Sequence, residues 1–519
     1  MPLYKQNISY ETENDLPECD VLCVFQTANE DFFLDLKAWL AKNSERYLVL
    51  LDEEADIHSH LLRSSLLDDS RVRHYLLSEV NQDDVFKQIA WEFVFLSLGF
   101  HTENACSERA KEIFSKITFF HTGVHLFASD YRDLGVRVLK NIFANVLHLP
   151  KAMEGEKLAG RFQNIPAIIC GAGPSLEKNI QQLSQLSNRA FIFAGGSSLN
   201  VLSKHAIDPH FSASIDPDPP YTRFLQQTAF EAPFFYQHRL SRDLLRIVHA
   251  PLLRLTDGAG YPIDSWLSSY LGLSSHPFEA GWNVATFLSA IAASMGCNPI
   301  IFVGMDLAFS GNIPYANGVH LSSLEEERIE LKGEDGSTLF SKKDWIIAAE
   351  WIESFAQDQS GTTFVNASEG GIGFKGVENL SLRVAEQKYL KKDFDLKGTI
   401  HTQLAHIQIN KPTHDQVLDS LTIIESSLSR CQGYVEHFLE AIERSYPNLS
   451  GMEGREALFE VEMENEIAYQ HILAPIWEVW KPVFARQADK NKLGQILNKL
   501  LFLKKAIYFL NEDYDRREI

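Results

Sequence analysis

Two glycines separated by one residue directly follow an apolar run in the stretch PAIICGAGPSLEKNI, residues 166–180. Gly171 and Gly173 have no Cβ, so the backbone there can approach a bound group closely. Pro174 favours the first turn of a helix, and Ser175 can cap the free amides of that turn. Because amides at a helix N-terminus attract anions, this turn predicts either a phosphate site or an ordinary connection from strand to helix.

The turn matches neither of the two common phosphate-binding motifs completely. Ala172 lies between the glycines, and Leu176 stands where the Rossmann fingerprint has its third glycine. The turn also lacks the Gly-Lys-Ser/Thr ending of a P-loop. Taken alone, it leaves the phosphate site and the structural turn equally open.

Two further apolar runs end in residues that could carry chemistry. The run RAFIFAGG ends in Gly195 and Gly196, followed by Ser197, which predicts a second turn facing the same crevice. The run HFSASIDPDPP ends in Asp216 and Asp218, and two carboxylates at this spacing could hold Mg²⁺ or Mn²⁺ on a diphosphate. Asp-Pro pairs also form simple turns, so both interpretations stay open, and Asp216 alone could contact a ribose or a base.

A fourth run, PIIFVGMD, ends in Asp306. Tyr315 and His320 follow in the next loop, where a histidine with a near-neutral pKa could act as a general base or acid. Asn283, at the start of a helical pattern before this run, is a further candidate for a nucleotide site. A local basic cluster could serve a phosphate or form a solvated helix face. Its members are Arg223, His238, Arg239, Arg242 and Arg246.

The elements that position these residues predict an α/β fold. Strand-like runs alternate with helical spacing at the start of the chain, which predicts a small N-terminal α/β domain at 1–106. No glycine-rich turn follows its strands, so we expect no dinucleotide there. A long helical pattern predicts a connector at 107–165.

The four runs described above predict a central, doubly wound, Rossmann-like domain at 166–395. Strand patterns then disappear, and a C-terminal helical bundle is predicted at 396–519. Thr413 and Gln416 predict a capping box at the start of its first long helix. An apolar stripe near the chain end could also pack against a second copy, so self-association stays open.

Composition restricts the classes of partner. The chain has 519 residues and a formal net charge of −21, which argues against nucleic acid and anionic membranes. We expect no signal peptide and no transmembrane helix, and therefore a cytoplasmic protein. Its six dispersed cysteines predict free thiols rather than a disulfide scaffold or a zinc site.

One ordered series of motifs resembles the motility accessory factor (Maf) family. The series is GAGPSLEKNI, ASIDPDP, GWNVATFLSAIAASMGCNPIIFVGMDLAF, YANG and FVNASEGGIGFKGVENL, within residues 166–380. The central domain of that family is shared with archaeal 6-hydroxymethylpterin pyrophosphokinase MptE-like proteins. The flanking regions also resemble the Maf layout.

The resemblance implies a sialyltransferase-like central domain that moves a nonulosonic acid, such as pseudaminic or legionaminic acid, from CMP to Ser or Thr of flagellin. It implies that the first glycine turn holds the phosphate and ribose of CMP, with Ala172 replacing a sialyltransferase asparagine. Asp306 and Tyr315 match sialyltransferase positions, and His320 is the nearest candidate for the catalytic histidine. The candidate nucleotide-binding residues are Gly171, Ala172, Gly173, Pro174, Ser175, Gly195, Gly196, Ser197, Asp216 and Asn283.

Three functions therefore stay open. The first is a nonulosonate glycosyltransferase with a protein acceptor, which the flanking regions favour because a protein acceptor needs additional surface. The second is a pterin diphosphokinase that uses ATP and Mg²⁺ held by Asp216 and Asp218, and the third is a non-catalytic scaffold. We expect no organic cofactor. We also expect Gly173→Val to abolish nucleotide binding and leave the fold intact.

Overall fold

The chain forms two compact units in the computed structural model. They comprise Met1–Asp133 with Ile476–Leu503, and Leu134–Pro475 with Lys504–Ile519. The boundary falls inside a helix, and the four segments predicted from the sequence stay predictions. The structure describes residues 16–26, 30–53, 65–102, 107–219, 231–257, 260–311, 313–317, 319, 328–332, 338–407, 411–446, 452–487 and 492–511. His320 and Arg223 lie outside these ranges.

The first unit contains a small parallel sheet, which confirms the predicted α/β character of this region. Its strand order is β3-β2-β1-β4. Every residue of β1 is buried, as is typical of a parallel strand covered on both faces. The elements are β1 (Val21–Phe25), α1 (Glu30–Ala41), β2 (Tyr47–Asp52), β3 (Val72–Leu76), α2 (Gln82–Glu92) and β4 (Leu98–Thr102).

A long helix, α3 (Glu108–Asn145), leads into the second unit. The first half of that unit alternates short strands and helices, as the sequence predicts. Its elements are β5 (Met153–Glu154), β6 (Ala167–Cys170), α4 (Leu176–Leu183), β7 (Phe191–Gly195), α5 (Ser197–Lys204), β8 (Phe211–Ser214), β9 (Phe234–Tyr236), α6 (Arg242–Arg246), β10 (Leu252–Arg254), α7 (Pro262–Tyr270), α8 (Val284–Ser294) and β11 (Ile300–Val303).

The second half of this unit completes the sheet and then becomes helical. Next along the chain are β12 (Ile329–Lys332), β13 (Thr338–Ser341), α9 (Lys343–Asp358), β14 (Phe364–Asn366), β15 (Glu378–Asn379), α10 (Leu382–Tyr389) and α11 (Leu396–His406). The antiparallel pair β12 and β13 forms a separate ribbon.

The main sheet of the second unit is parallel throughout its described strands. Its order is β15-β14-β11-β6-β7-β8-β9-β10-β5. From β6 the chain continues through β7 to β10 on one side, whereas β11 pairs with the other side of β6 and is followed by β14. The winding direction therefore reverses between β6 and β11. In open α/β sheets, ligands bind beyond the carboxyl ends of strands at such a switch point.

The two strands at the switch point are fully buried apolar runs. The side chains of β6 (AIIC) and β11 (IIFV) alternate between two hydrophobic clusters, one on each face of the sheet. Ile169 and Phe302 lie in one cluster, and Ile168 and Ile301 lie in the other. Because both faces are covered, only the strand ends remain for binding.

The end of the chain is helical, as predicted. The predicted capping box is confirmed, because Gln416 N donates to Thr413 Oγ1 at 3.2 Å and Thr413 N donates to Gln416 Oε1 at 2.8 Å. Among the described residues, no helix combines the length and the apolar character needed to cross a membrane. The helices are α12 (His414–Ser445), α13 (Met452–Glu464), α14 (Ala474–Gln487) and α15 (Lys492–Asn511), with a π-helical turn at Tyr469–Leu473.

Candidate functional site

The turn after β6 is hydrogen-bonded to the turn after β11. Gly171 N donates to Val303 O at 2.8 Å, and Gly173 N donates to Gly304 O at 2.8 Å. A Cβ added at Gly171 would overlap the carbonyl oxygen of Gly304. The close approach of the second turn is therefore a sufficient reason for glycine at this position.

The carboxylate of Asp306 lies at the start of α4. Its Oδ2 accepts hydrogen bonds from the backbone amide of Ser175 at 3.1 Å and from the Ser175 hydroxyl at 2.8 Å. Ser175 is the N-cap residue, but its hydroxyl makes no bond to the helix, so the expectation that it caps the free amides is wrong. Because the turn already holds the chain's own anion, a second anion at the same amides is disfavoured.

Burial governs the electrostatics of Asp306. The residue is 5 % exposed, and this burial raises the pKa of its carboxyl. The two hydrogen bonds from Ser175 favour the charged form and offset only part of this rise. A Cβ on Gly173 would overlap Asp306 Oδ2. The carboxylate is therefore packed against the glycine turn as well as bonded to it.

A third loop, which follows β14, completes this corner of the site. Ile372 N donates to Asp306 O at 3.0 Å, and Met305 N donates to the hydroxyl of Ser368 at 2.9 Å. Glu369 has a positive φ of 58° and accepts a hydrogen bond from Asn179 Nδ2 at 2.8 Å. A non-glycine residue in this conformation is uncommon and is held in place by its surroundings.

The turn after β7 differs from the turn after β6. Gly196 is the N-cap residue of α5, with φ 53° and ψ −125°, and as a glycine it has no side chain with which to cap the helix. The Ser198 hydroxyl bonds instead to the backbone of Gly195, accepting from its amide at 3.0 Å and donating to its carbonyl at 2.9 Å. The first amides of α5, beginning at Ser197, therefore suit an anionic ligand better than those of α4 do.

Asn283 begins α8, next to this second turn. Its Oδ1 accepts hydrogen bonds from the amides of Ala285 at 2.9 Å and Thr286 at 3.0 Å, which makes it the N-cap of the helix. The following residue, Val284, packs against Gly195, where an added Cβ would overlap its Cγ1. The side-chain oxygen of Asn283 thus has a structural role, and its contact with a nucleotide stays a prediction.

Tyr315 is brought close to the first turn by a backbone contact. Ala316 N donates to Ala172 O at 2.8 Å, which ties the Tyr315 loop to the glycine turn. The Tyr315 ring meets Trp345 edge-on, with 5.7 Å between the ring centroids. Asp306 and the Tyr315 loop thus both contact the first turn, whereas His320 lies outside the described residues. The catalytic roles of these three residues stay predictions.

Asp216 and Asp218 follow β8 and contact different groups. Asp216 Oδ1 accepts a hydrogen bond from Asp218 N at 3.0 Å, a local turn of the Asx type. The Asp218 carboxylate forms an ion pair with Arg137 of α3, and both side chains are half exposed. Across the described ranges, no cluster of three or more His, Cys, Asp or Glu side chains could hold a metal ion, and metal dependence stays a prediction.

A buried polar network at the ends of β9 and β10 is not evident from the sequence. Asp264 bonds to His238 Nδ1, accepts from Asp257 N at 2.9 Å and pairs with Arg254 at 3.4 Å. The side chains of His238, Asp264 and Arg254 are at most 1 % exposed. His238 is therefore not part of a solvated basic face. It contacts Asp264 because of the order of the strands in the sheet, which spacing along the chain does not predict. Burial opposes ionisation of Asp264, but His238 and Arg254 outweigh it and lower its pKa.

The chain resembles known proteins in sequence and in fold. Residues 140–312 match the family model described as 6-hydroxymethylpterin diphosphokinase MptE-like. No curated protein sequence matches the chain significantly. Among solved structures, the chain is similar to the MAf glycosyltransferase from Magnetospirillum magneticum AMB-1, with a TM-score of 0.56 and 12 % sequence identity. That similarity covers 95 % of this chain and 78 % of the other. The predicted resemblance is thus confirmed: residues 140–312 match an MptE-like family model, and 95 % of the chain shares the fold of a Maf glycosyltransferase.

Proposed function

We propose that the chain is a glycosyltransferase that moves a nonulosonic acid from a CMP-activated donor to a flagellin-type protein acceptor in the cytoplasm. The extent of the fold similarity carries this proposal. The family model covers only residues 140–312, whereas the similarity to a protein named a glycosyltransferase extends over 95 % of the chain. A small-molecule kinase would not need the flanking regions that the two chains share.

The switch-point crevice provides the proposed donor site. Departure of CMP requires that its phosphate be neutralised as the bond to the sugar breaks. A glycine N-cap leaves the amides at Gly196 and Ser197 without a capping side chain of their own, which supports a phosphate there, whereas the Ser175 amide already donates to Asp306. We therefore assign the phosphate to the second glycine turn, with the first turn held in place by Asp306.

The acceptor hydroxyl must lose its proton during transfer. We propose His320 and Tyr315 for this step and for orientation of the donor. Tyr315 lies in the loop whose Ala316 amide donates to the Ala172 carbonyl of the first turn. A base of this kind contributes typically 10²- to 10⁴-fold to the rate.

The match to an MptE-like model favours a second candidate, a diphosphokinase that uses ATP and a hydroxymethylpterin. Asp216 and Asp218 would hold its Mg²⁺, which would neutralise phosphate charge. A metal held by both carboxylates would have to displace the ion pair of Asp218 with Arg137 and compete with the hydrogen bond that Asp216 accepts from its own turn. This candidate therefore requires a rearrangement that the glycosyltransferase does not.

A thermal-unfolding panel tests the proposal. The ligands are CMP, CMP-sialic acid, ATP with Mg²⁺, and a hydroxymethylpterin. A ligand at 100 times its Kd stabilises the folded state by about 2.7 kcal/mol. We expect stabilisation by the two CMP compounds only. Stabilisation by ATP with Mg²⁺ and by the pterin would favour the diphosphokinase, and no stabilisation by any of them would favour a scaffold.

A further inference from the structure

Trp282 places a large aromatic side chain at the edge of the proposed donor site. It directly precedes Asn283, the N-cap of α8, and 47 % of its surface is exposed. Single exposed apolar residues are common on soluble proteins, so exposure alone identifies no site. The inference depends on the position of Trp282 close to the second glycine turn.

The chain brings Trp282 close to that turn. Asn283 is extended, with φ −156° and ψ 177°. Trp282 lies two residues before Val284, so their Cα atoms are at most about 7 Å apart. Val284 packs on Gly195, and its Cγ2 is 3.8 Å from a Cβ built on Gly196. Trp282 therefore lies near the turn whose amides suit a phosphate.

The segment before the indole is held rigidly. Gly281 has a positive φ of 67°, and a Cβ built there would lie 2.7 Å from Thr286 Cβ and 3.0 Å from the Trp351 ring. Thr286 also accepts a hydrogen bond from Asn283 N through its hydroxyl at 2.9 Å. An aromatic ring on a fixed backbone loses little conformational freedom when a flat ligand stacks on it.

We propose that Trp282 is the stacking platform for the pyrimidine base of the donor, while the phosphate lies at the amides of Gly196 and Ser197. The inference rests on the proposed function. Val284 packs on this turn, and the backbone of Trp282 lies at most about 7 Å from that of Val284. In a nucleoside monophosphate the base and the phosphate lie at opposite ends of the ribose, so the proposal places the ribose between the turn and the indole.

Tryptophan fluorescence provides a direct test on the full-length chain. We expect CMP to quench the emission of the wild-type protein and of Trp266→Phe, and to leave the emission of Trp282→Phe unchanged. Trp266 is a matched control in the same unit, because it is stacked on Tyr270 at 5.2 Å in α7. We expect Trp282→Ala to raise the Kd for CMP about fivefold to 150-fold, the range that loss of one base–aromatic stack produces.

Ribose 5-phosphate separates the contact with the base from the contact with the phosphate. It lacks the base, so we expect its Kd to be the same for the wild-type protein and Trp282→Ala. If Trp282→Ala binds CMP as tightly as the wild type, or Trp282→Phe is still quenched to the wild-type extent, the stacking inference is wrong and the proposed function stands. If the wild-type protein binds neither CMP nor CMP-sialic acid, both the proposed function and the stacking inference are wrong.

Discussion

The carboxylate of Asp306 accepts two hydrogen bonds from Ser175, one from its backbone amide at 3.1 Å and one from its hydroxyl at 2.8 Å. These bonds join the ends of β6 and β11, the two strands that flank the switch point. A carboxylate at this end of α4 also interacts favourably with the helix dipole. The first glycine turn is thus stabilised from within the chain, which is why we assign the donor phosphate to the second turn.

We predict that Asp306→Ala lowers the free energy of unfolding by about 2–4 kcal/mol, because it leaves two buried donors of Ser175 without an acceptor. Asp306→Asn keeps an acceptor oxygen and should lower it by about 1 kcal/mol. Urea denaturation at neutral pH measures both values. Equal losses in the two variants would show that packing of the side chain, rather than hydrogen-bond acceptance, stabilises the turn.

We predict that Gly173→Ala lowers the free energy of unfolding by about 3 kcal/mol, at the upper end of overpacking effects. The added Cβ would overlap Asp306 Oδ2, so the turn must shift. The structure therefore does not support the sequence-based expectation that Gly173→Val leaves the fold intact. Gly433→Ala in α12 is the control, because a Cβ added at Gly433 meets no atom within 4 Å. This substitution should raise the free energy of unfolding by about 0.5–1 kcal/mol. A Gly173→Ala protein as stable as the wild type would show that the turn adapts easily.

Local patterns in the sequence predict much of the fold. The runs AIIC and IIFV are apolar throughout because both faces of their sheet are covered, and they form β6 and β11 as expected. The capping box of Thr413 depends only on a residue three positions away, so it is readable from the sequence. These signals arise within one element, where spacing along the chain determines spacing in space.

The contacts within the site are not readable in this way. Ser175 has the residue type of a helix cap, but Asp306, 131 positions later, competes for its hydroxyl. His238 and Asp264 are 26 positions apart and meet only because β9, β10 and α7 pack together. Such pairings depend on the order of the strands in the sheet. Spacing along the chain does not predict that order.

We predict that Mg²⁺ stabilises the wild-type protein no more than it stabilises the Asp216→Asn, Asp218→Asn double variant. The reason is that Asp218 is paired with Arg137 and Asp216 accepts a hydrogen bond from its own turn. Loss of this exposed ion pair should change stability by less than about 1 kcal/mol. Thermal unfolding with Mg²⁺ and with EDTA provides the comparison. A Mg²⁺-dependent stabilisation that only the wild type shows would support the diphosphokinase.

We predict that Asp264→Asn lowers the free energy of unfolding at pH 7 by about 3–5 kcal/mol, because it leaves Arg254 without its buried carboxylate. The pKa of Asp264 is lowered in the folded protein, despite burial, by His238 and Arg254. Its contribution is therefore present above the ordinary pKa of about 3.9 and is lost as the pH falls through the lowered folded value.

Urea denaturation between pH 7 and pH 3 tests the sign of this dependence. The wild-type protein should lose stability more steeply on acidification than Asp264→Asn, in which no carboxyl at this position titrates. Asp243→Asn is the matched control, because Asp243 is half exposed on α6 and lies 3.8 Å from Arg246. It should leave the acid slope unchanged, since exposed pairs contribute little. Parallel slopes for the wild type and Asp264→Asn would mean that other carboxyl groups, and not this buried network, govern the response to acid.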